Sequence, residues 1–173
     1  MGNLRTAHND ARAVANVLKQ DYGFKIKLLS NATHDQMFRA LENYRRTTTK
    51  ADNLLIYYAG HGYLDKEADE GFWLPVDAEE NSQLKWIPNT DIIRSVSTMK
   101  AKHVMVVADS CFSGTLTRGI KIREKTPDYL QRISKQKARV AITSGGEEPV
   151  TDVGGGGHSA FANAFLYILR QNT

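Results

Sequence analysis

The stretch His103-Val104-Met105-Val106-Val107-Ala108-Asp109-Ser110-Cys111-Phe112-Ser113-Gly114 decides how the chain is read. Its first half is a run of apolar and β-branched residues without alternation, the pattern of a strand buried on both faces of a parallel sheet. Its second half is small, polar and glycine-terminated, as expected of a tight turn. Open α/β sheets place ligands at the carboxyl ends of their strands. Cys111, the only cysteine in 173 residues, therefore belongs at the mouth of a cleft. A lone cysteine forms no internal disulfide, and it is often simply a small buried hydrophobe.

A second strand-and-turn element shifts that balance. Asn53-Leu54-Leu55-Ile56-Tyr57-Tyr58-Ala59 is another apolar run, ending in Gly60-His61-Gly62. The flanking glycines predict a sharp turn and an uncrowded imidazole. If the two runs are neighbouring parallel strands, His61 and Cys111 project from one sheet edge. An imidazole can then take the thiol proton and generate the thiolate that attacks a carbonyl.

Helices are expected between the strands. Asn9 or Asp10 caps a first helix with Ala11, Val14, Ala15 and Leu18 on its apolar face, and Gly23 stops it. Phe24-Lys25-Ile26-Lys27-Leu28-Leu29 alternates as an outer strand would. Thr33 or Asp35 opens a second helix carrying Met37, Leu41 and Tyr44. After an acidic loop at 65–70 come a short strand at 71–76, with Trp73 and Trp86 as packing residues, and a helix over Ile92, Ile93 and Val96. Ala138 to Ser144 reads as a further strand. His158-Ser159 begin a last helix whose apolar side is Phe161, Ala164, Phe165, Ile168 and Leu169. This alternation of strands and helices implies an α/β domain, with a mostly parallel sheet covered by helices on both faces.

Composition narrows the class. One domain fits the length, enough to bury roughly two-thirds of the unfolded surface. Hydrophobic residues make up 41% and charged residues 24% of the chain, which argues against both a disordered and a membrane protein. No apolar run approaches the ~20 residues of a membrane span, no signal peptide opens the sequence, and a single cysteine suits a reducing, cytoplasmic setting. The net charge of +4 reflects basic residues scattered along helices and gathered at 118–139, without the aromatic interleaving of a nucleic-acid site. The glycines at 154–157 precede a helix, yet neither a Gly-Lys-Ser/Thr nor an early G-x-G-x-x-G accompanies them, so nucleotide binding is disfavoured. A single cysteine with dispersed histidines offers no close-spaced zinc ligands.

"YYAGHG" and, 50 residues later, "DSCFSG" resemble the histidine and cysteine motifs of the caspase-like cysteine peptidases, especially the metacaspase and paracaspase branches. The resemblance runs from "LRTAHNDA" through "FWLPVDA" to the final helix. It implies a three-layer caspase-like sandwich and a His61–Cys111 dyad. In that dyad Cys111 is the nucleophile, His61 the base, and the backbone N–H groups of Gly62 and Cys111 the oxyanion donors. It also implies a substrate pocket lined by Asp10, Asp109 and Asp152, with Glu147 and Glu148 competing for the last role. Such a pocket selects peptides or proteins with Arg or Lys before the cut. Each carboxylate also has a plainer reading: Asp10 as a helix cap, Asp109 as a turn former, Asp152 as solvated loop.

The resemblance carries further expectations. The segment 115–137 corresponds to a flexible, often cleaved linker. Family members usually begin with a central strand just before "LRTAHNDA", so the first strand of this single domain, 1–173, is missing, and elements completing the groove are expected beyond its end. No cofactor is required. Calcium activates some metacaspases, but the acidic clusters at 65–70 and 77–80 lack the ligand spacing of a recognisable loop. Two other readings stay open: a non-catalytic caspase-like scaffold, and a peptidase cutting after Asp. Asp109 disfavours the latter, as does the absence of an arginine pair near the cysteine motif.

Overall fold

The computed structural model describes residues 4, 6–110, 137–145 and 156–171. Cys111, almost all of the basic 115–137 segment, and Glu147, Glu148 and Asp152 lie outside these residues. Three parallel strands form the central sheet: β1 (Asn53–Ala59), β5 (His103–Asp109) and β6 (Ala138–Thr143), in the order β1-β5-β6. A smaller antiparallel sheet joins β2 (His61–Asp65), β3 (Glu70–Leu74) and β4 (Ile87–Pro88). Four α-helices complete the described part: α1 (Ala7–Gln20), α2 (His34–Thr47), α3 (Asn89–Thr98) and α4 (Ala160–Gln171). This is the α/β architecture that the alternating pattern predicts.

The period of two along the strands sorts the core into two layers. Val104, Val106 and Ala108 of β5 pack with Leu54 and Ile56 of β1 against Leu41 of α2 and Ile92 and Val96 of α3. Met105 and Val107 pack with Leu55 and Tyr57 against Val14, Val17 and Leu18 of α1 and Phe165 and Leu166 of α4. A strand apolar on both faces needs both layers, which is why β5 reads as a continuous run.

Local signals fix most helix ends. Thr33 caps α2 in a reciprocal capping box with Gln36. Gly23 takes a φ of +70°, open to glycine at little cost, just past the end of α1. Asp10 is not the cap of α1: the helix begins at Ala7 and Asp10 is buried within its first turns. Ile93, Ala164 and Ile168 are exposed; the buried face of α4 is Ala162, Phe165 and Leu166.

Phe24–Leu29 forms no strand. Alternation supplies side-chain faces but not a ladder, and β1 has β5 as its only ladder neighbour among the described residues. A cleft of about 1020 Å³ is lined by residues of both β1 and the 24–29 segment. Ile26, Leu28 and Leu29 remain 38–44% exposed.

Gly60-His61-Gly62 is not a free turn. β1 passes directly into β2, and Gly62 lies opposite Trp73 of β3. Gly60 is needed for close approach: a Cβ there would stand 2.5 Å from the Tyr58 hydroxyl oxygen. The Tyr58 ring in turn stacks on Trp73, with centroids 4.2 Å apart and planes 1° from parallel.

At the opposite end of the sheet, Arg139 of β6 holds the chain between α3 and β5. Its guanidinium donates to the carbonyls of Val96, Met99, Ala101, Lys102 and Ala138 at 2.8–3.2 Å. Those of Val96, Met99, Ala101 and Lys102 lie at and just beyond the end of α3, where the Val96 carbonyl also accepts from the Met99 N–H. Burial pushes the guanidinium pKa down.

Arg139→Lys keeps the charge but loses the planar fork, so urea unfolding should show a loss of about 2 kcal/mol; a loss below about 0.5 kcal/mol would mean that water replaces the lost bonds. Gly60→Ala should destabilise the fold by about 1–3 kcal/mol and weaken the near-ultraviolet circular dichroism of the Tyr58–Trp73 stack. An unchanged aromatic signal would show that Tyr58 yields without cost.

Candidate active site

The site forms where β1 and β5 end together. Their register pairs Ala59 with Asp109, and the Gly60 N–H donates to the Asp109 carbonyl at 3.3 Å. His61 and Cys111 are each two residues beyond these aligned ends in the sequence. The strand neighbours required for the two motifs to share a sheet edge are therefore present.

His61 opens β2 and is half-buried. The Tyr58 hydroxyl donates to the His61 carbonyl at 2.7 Å and accepts from the Leu74 N–H at 3.2 Å. One buried phenol thus ties the histidine backbone to the β3 strand. Burial pushes the Tyr58 pKa upward and keeps the hydroxyl neutral.

The residue before Cys111 is held from β6. Ser144 Oγ accepts from the Ser110 N–H at 3.1 Å and donates to the Ser110 carbonyl at 3.3 Å, while the Ser144 N–H donates to the Ala108 carbonyl at 3.0 Å. Ser144 stands out in the sequence only as the end of a strand. A serine immediately after a parallel strand is the one signal that could have found it.

Asp10 and Asp109 are brought together even though they are 99 positions apart. Both are buried, at 1% and 8% exposure. Ser159 joins them: its Oγ donates to Asp109 Oδ2 at 2.6 Å, and its N–H donates to Asp10 Oδ2 at 3.3 Å. The same Oγ accepts from the Ala162 N–H at 2.9 Å, making Ser159 the N-cap of α4. His158 Nδ1 lies 2.6 Å from Asp10 Oδ1. His158 and Ser159 read as helix-start residues in the sequence; no spacing rule announces that they meet the first helix.

Placing two carboxylates close together in a buried site is costly. Burial pushes the Asp109 pKa up, hydrogen bonds led by Ser159 pull it down, and the nearby Asp10 charge adds to the rise. Tyr57 stands beside them, with its ring stacked on Phe165 at 6.0 Å. Its hydroxyl is buried and acts on the Asp109 carboxyl. Burial first, then the Asp109 and Asp10 charges, push its pKa up.

The site is a buried pair of carboxylates at the end of the strand that leads to Cys111, with His158 against one of them. Gly62 sits in β2; Cys111 and Asp152 lie outside the described residues. The acidic loop at 65–70 is a β-hairpin turn in which Asp65 Oδ1 accepts from the Glu67 and Ala68 N–H groups, which hold its carboxyl below the usual range, Ala68 most strongly. No group of three or more His, Cys, Asp or Glu residues capable of holding a metal gathers among the described residues. No described helix is long and apolar enough to cross a membrane.

This geometry can be set beside known proteins. The crystal structure of protein GSU0716 from Geobacter sulfurreducens aligns with a TM-score of 0.69 at 20% identity, covering 99% of this chain and 75% of that one. At that identity the likeness concerns the fold. No curated protein matches the sequence. The caspase-domain profile of the C14 peptidases matches residues 1–173, the whole length given. The chain therefore belongs to the peptidase C14 caspase-domain family, whose members are cysteine peptidases acting on proteins or peptides.

Proposed function

We propose that this chain carries the catalytic machinery of a cysteine endopeptidase that cuts after arginine or lysine. Cys111 supplies the nucleophile and His61 the base. The observation that carries the specificity is the meeting of Asp10 and Asp109 in one buried recess, two residues upstream of Cys111 in the case of Asp109. A peptide aspartate would add a third carboxylate there, whereas a guanidinium meets two acceptors with paired, charge-assisted bonds.

In this reading His61 accepts the Cys111 thiol proton, the thiolate attacks the carbonyl of the basic residue, and the imidazolium so formed returns the proton to the leaving amine. Water then hydrolyses the thioester. The N–H groups of Gly62 and Cys111 stabilise the oxyanion, each worth ~10²–10³ in rate. The Tyr58 bond to the His61 carbonyl supports this arrangement by limiting how the imidazole can drift from the β1–β5 edge. Asp152 is a third pocket acid in the same reading.

Cys111→Ala should abolish turnover without unfolding the protein, and His61→Ala should do the same except for a remnant at high pH where the thiol ionises unaided. Retention of more than a small fraction of wild-type turnover by Cys111→Ala would remove the dyad.

Asp109→Asn separates charge from shape. It should lower kcat/KM for Arg substrates at least tenfold, consistent with ~2–5 kcal/mol for an unpaired buried cation, while leaving thiol alkylation unchanged. Because the folded state raises the Asp109 pKa, it binds that proton more tightly than the unfolded chain does. The associated stability is present below the ordinary aspartate range near 4 and is lost as pH rises through the folded-state pKa. The Asn variant should therefore melt higher than wild type at pH 7, with the gap closing toward pH 4. Wild-type cleavage of Arg substrates by the variant, or preference of the wild type for Asp, would overturn the pocket.

A further inference from the structure

The recess that would receive a basic side chain is already partly occupied by one from the chain itself. Both oxygens of Asp10 are engaged, Oδ1 with His158 Nδ1 at 2.6 Å and Oδ2 with the Ser159 N–H at 3.3 Å. Asp10 is 1% exposed, whereas the His158 side chain is 24% exposed and stands at the rim. The two carboxylates are held differently. Asp109 Oδ2 accepts from Ser159, and the Ser144 and Tyr57 hydroxyls also act on its carboxyl. A guanidinium approaching the pair would find Asp109 held by neutral hydroxyls and Asp10 closed by an imidazole.

We propose that His158 is a tethered counter-ion of the acidic recess, resident on Asp10 until the cation of a basic substrate displaces it. The proposal rests on the Arg/Lys reading above and adds to it a competitor built into the chain. Two features make displacement feasible. His158 lies outside α4, which begins at Ala160, and follows Gly156 and Gly157, which take φ values of +65° and +81°. Moving His158 therefore does not require breaking the helix cap, which belongs to Ser159.

The competition has a sign. The titratable groups facing His158 among the described residues are Asp10 from α1, with Asp109 of β5 and Tyr57 of β1 behind it. An imidazolium holds Asp10 by charge as well as by hydrogen bond, and a neutral imidazole by the hydrogen bond alone. A permanent cation at position 158 should therefore compete with the peptide more strongly than the histidine does, and an uncharged donor there less strongly. Asp109 is common to every variant, so the difference between variants isolates His158.

The test is calorimetric binding of a short peptide ending in Arg to Cys111→Ala protein, which removes turnover, at one fixed pH. Adding His158→Gln, which keeps a donor for Asp10 but carries no charge, should tighten binding at least fivefold. Adding His158→Arg, a permanent cation, should weaken binding at least fivefold. Equal binding with and without His158→Gln, or weaker binding by His158→Gln, would overturn the proposal and leave the Arg reading standing. Should His158→Gln fail to fold, unweakened binding by His158→Arg would overturn it as well. Failure of the Arg peptide to bind the Cys111→Ala protein would overturn the Arg reading and this inference together, and binding of an Asp-ending peptide in its place would identify that failure.

Discussion

The parallel pairing of β1 with β5 is the constraint on which the rest depends. It aligns Ala59 with Asp109, and from that alignment the Gly60 bond, the start of β2 at His61 and the position of Asp109 follow. A slip of one residue would exchange the two faces of β5, sending Asp109 toward α2 and α3 and Val106 toward α1 and α4. Each layer is sized for the side chains that now enter it, so the register and the two cores enforce one another. The acid recess is consequently a product of core packing. Its geometry is set by valines and leucines that never touch it.

Within that frame the recess concentrates charge where water is scarce. Two buried carboxylates are tolerable because Ser159 gives each a donor and because the start of α4 adds the favourable end of a helix dipole. The residual cost is visible in the raised Asp109 pKa. Sites built for binding commonly sacrifice stability in this way, since acceptors already satisfied by the protein have little left for a ligand.

Much of this was legible in the sequence because it depends on short-range periodicity. The unbroken apolar runs at 53–59 and 103–109 identified the central strands, and Thr33, read with Asp35 as a helix opener, marked the start of α2. Asp10 and Asp109 could be paired only through resemblance, because nothing local tells the first turns of α1 that the end of β5 and the start of α4 lie beside it. The same blindness hid His158, Ser159 and Ser144. Phe24–Leu29 misled for the converse reason: its alternation is real, but a strand exists only by pairing, and pairing is a property of the neighbour. Gly60 was recognised as special for the wrong reason, a turn, when the need is room for the Tyr58 ring.

The register of the central sheet also bears on how the chain reaches this state. Asn53 pairs with His103 and His103 with Ala138, separations of 50 and 35 residues. Loops of that length must close before any ladder bond rewards them, so the sheet is assembled from non-local contacts and its formation is slow compared with that of the helices. During synthesis β1 emerges long before its partner, leaving Leu54, Leu55 and Ile56 without a ladder while half the chain is still to be made. The recess between α1, β5 and α4 closes later still, because α4 is the last of the described elements to be translated. The bonds that join Asp10 to Asp109 are thus available only once Ser159, at the start of α4, has been made.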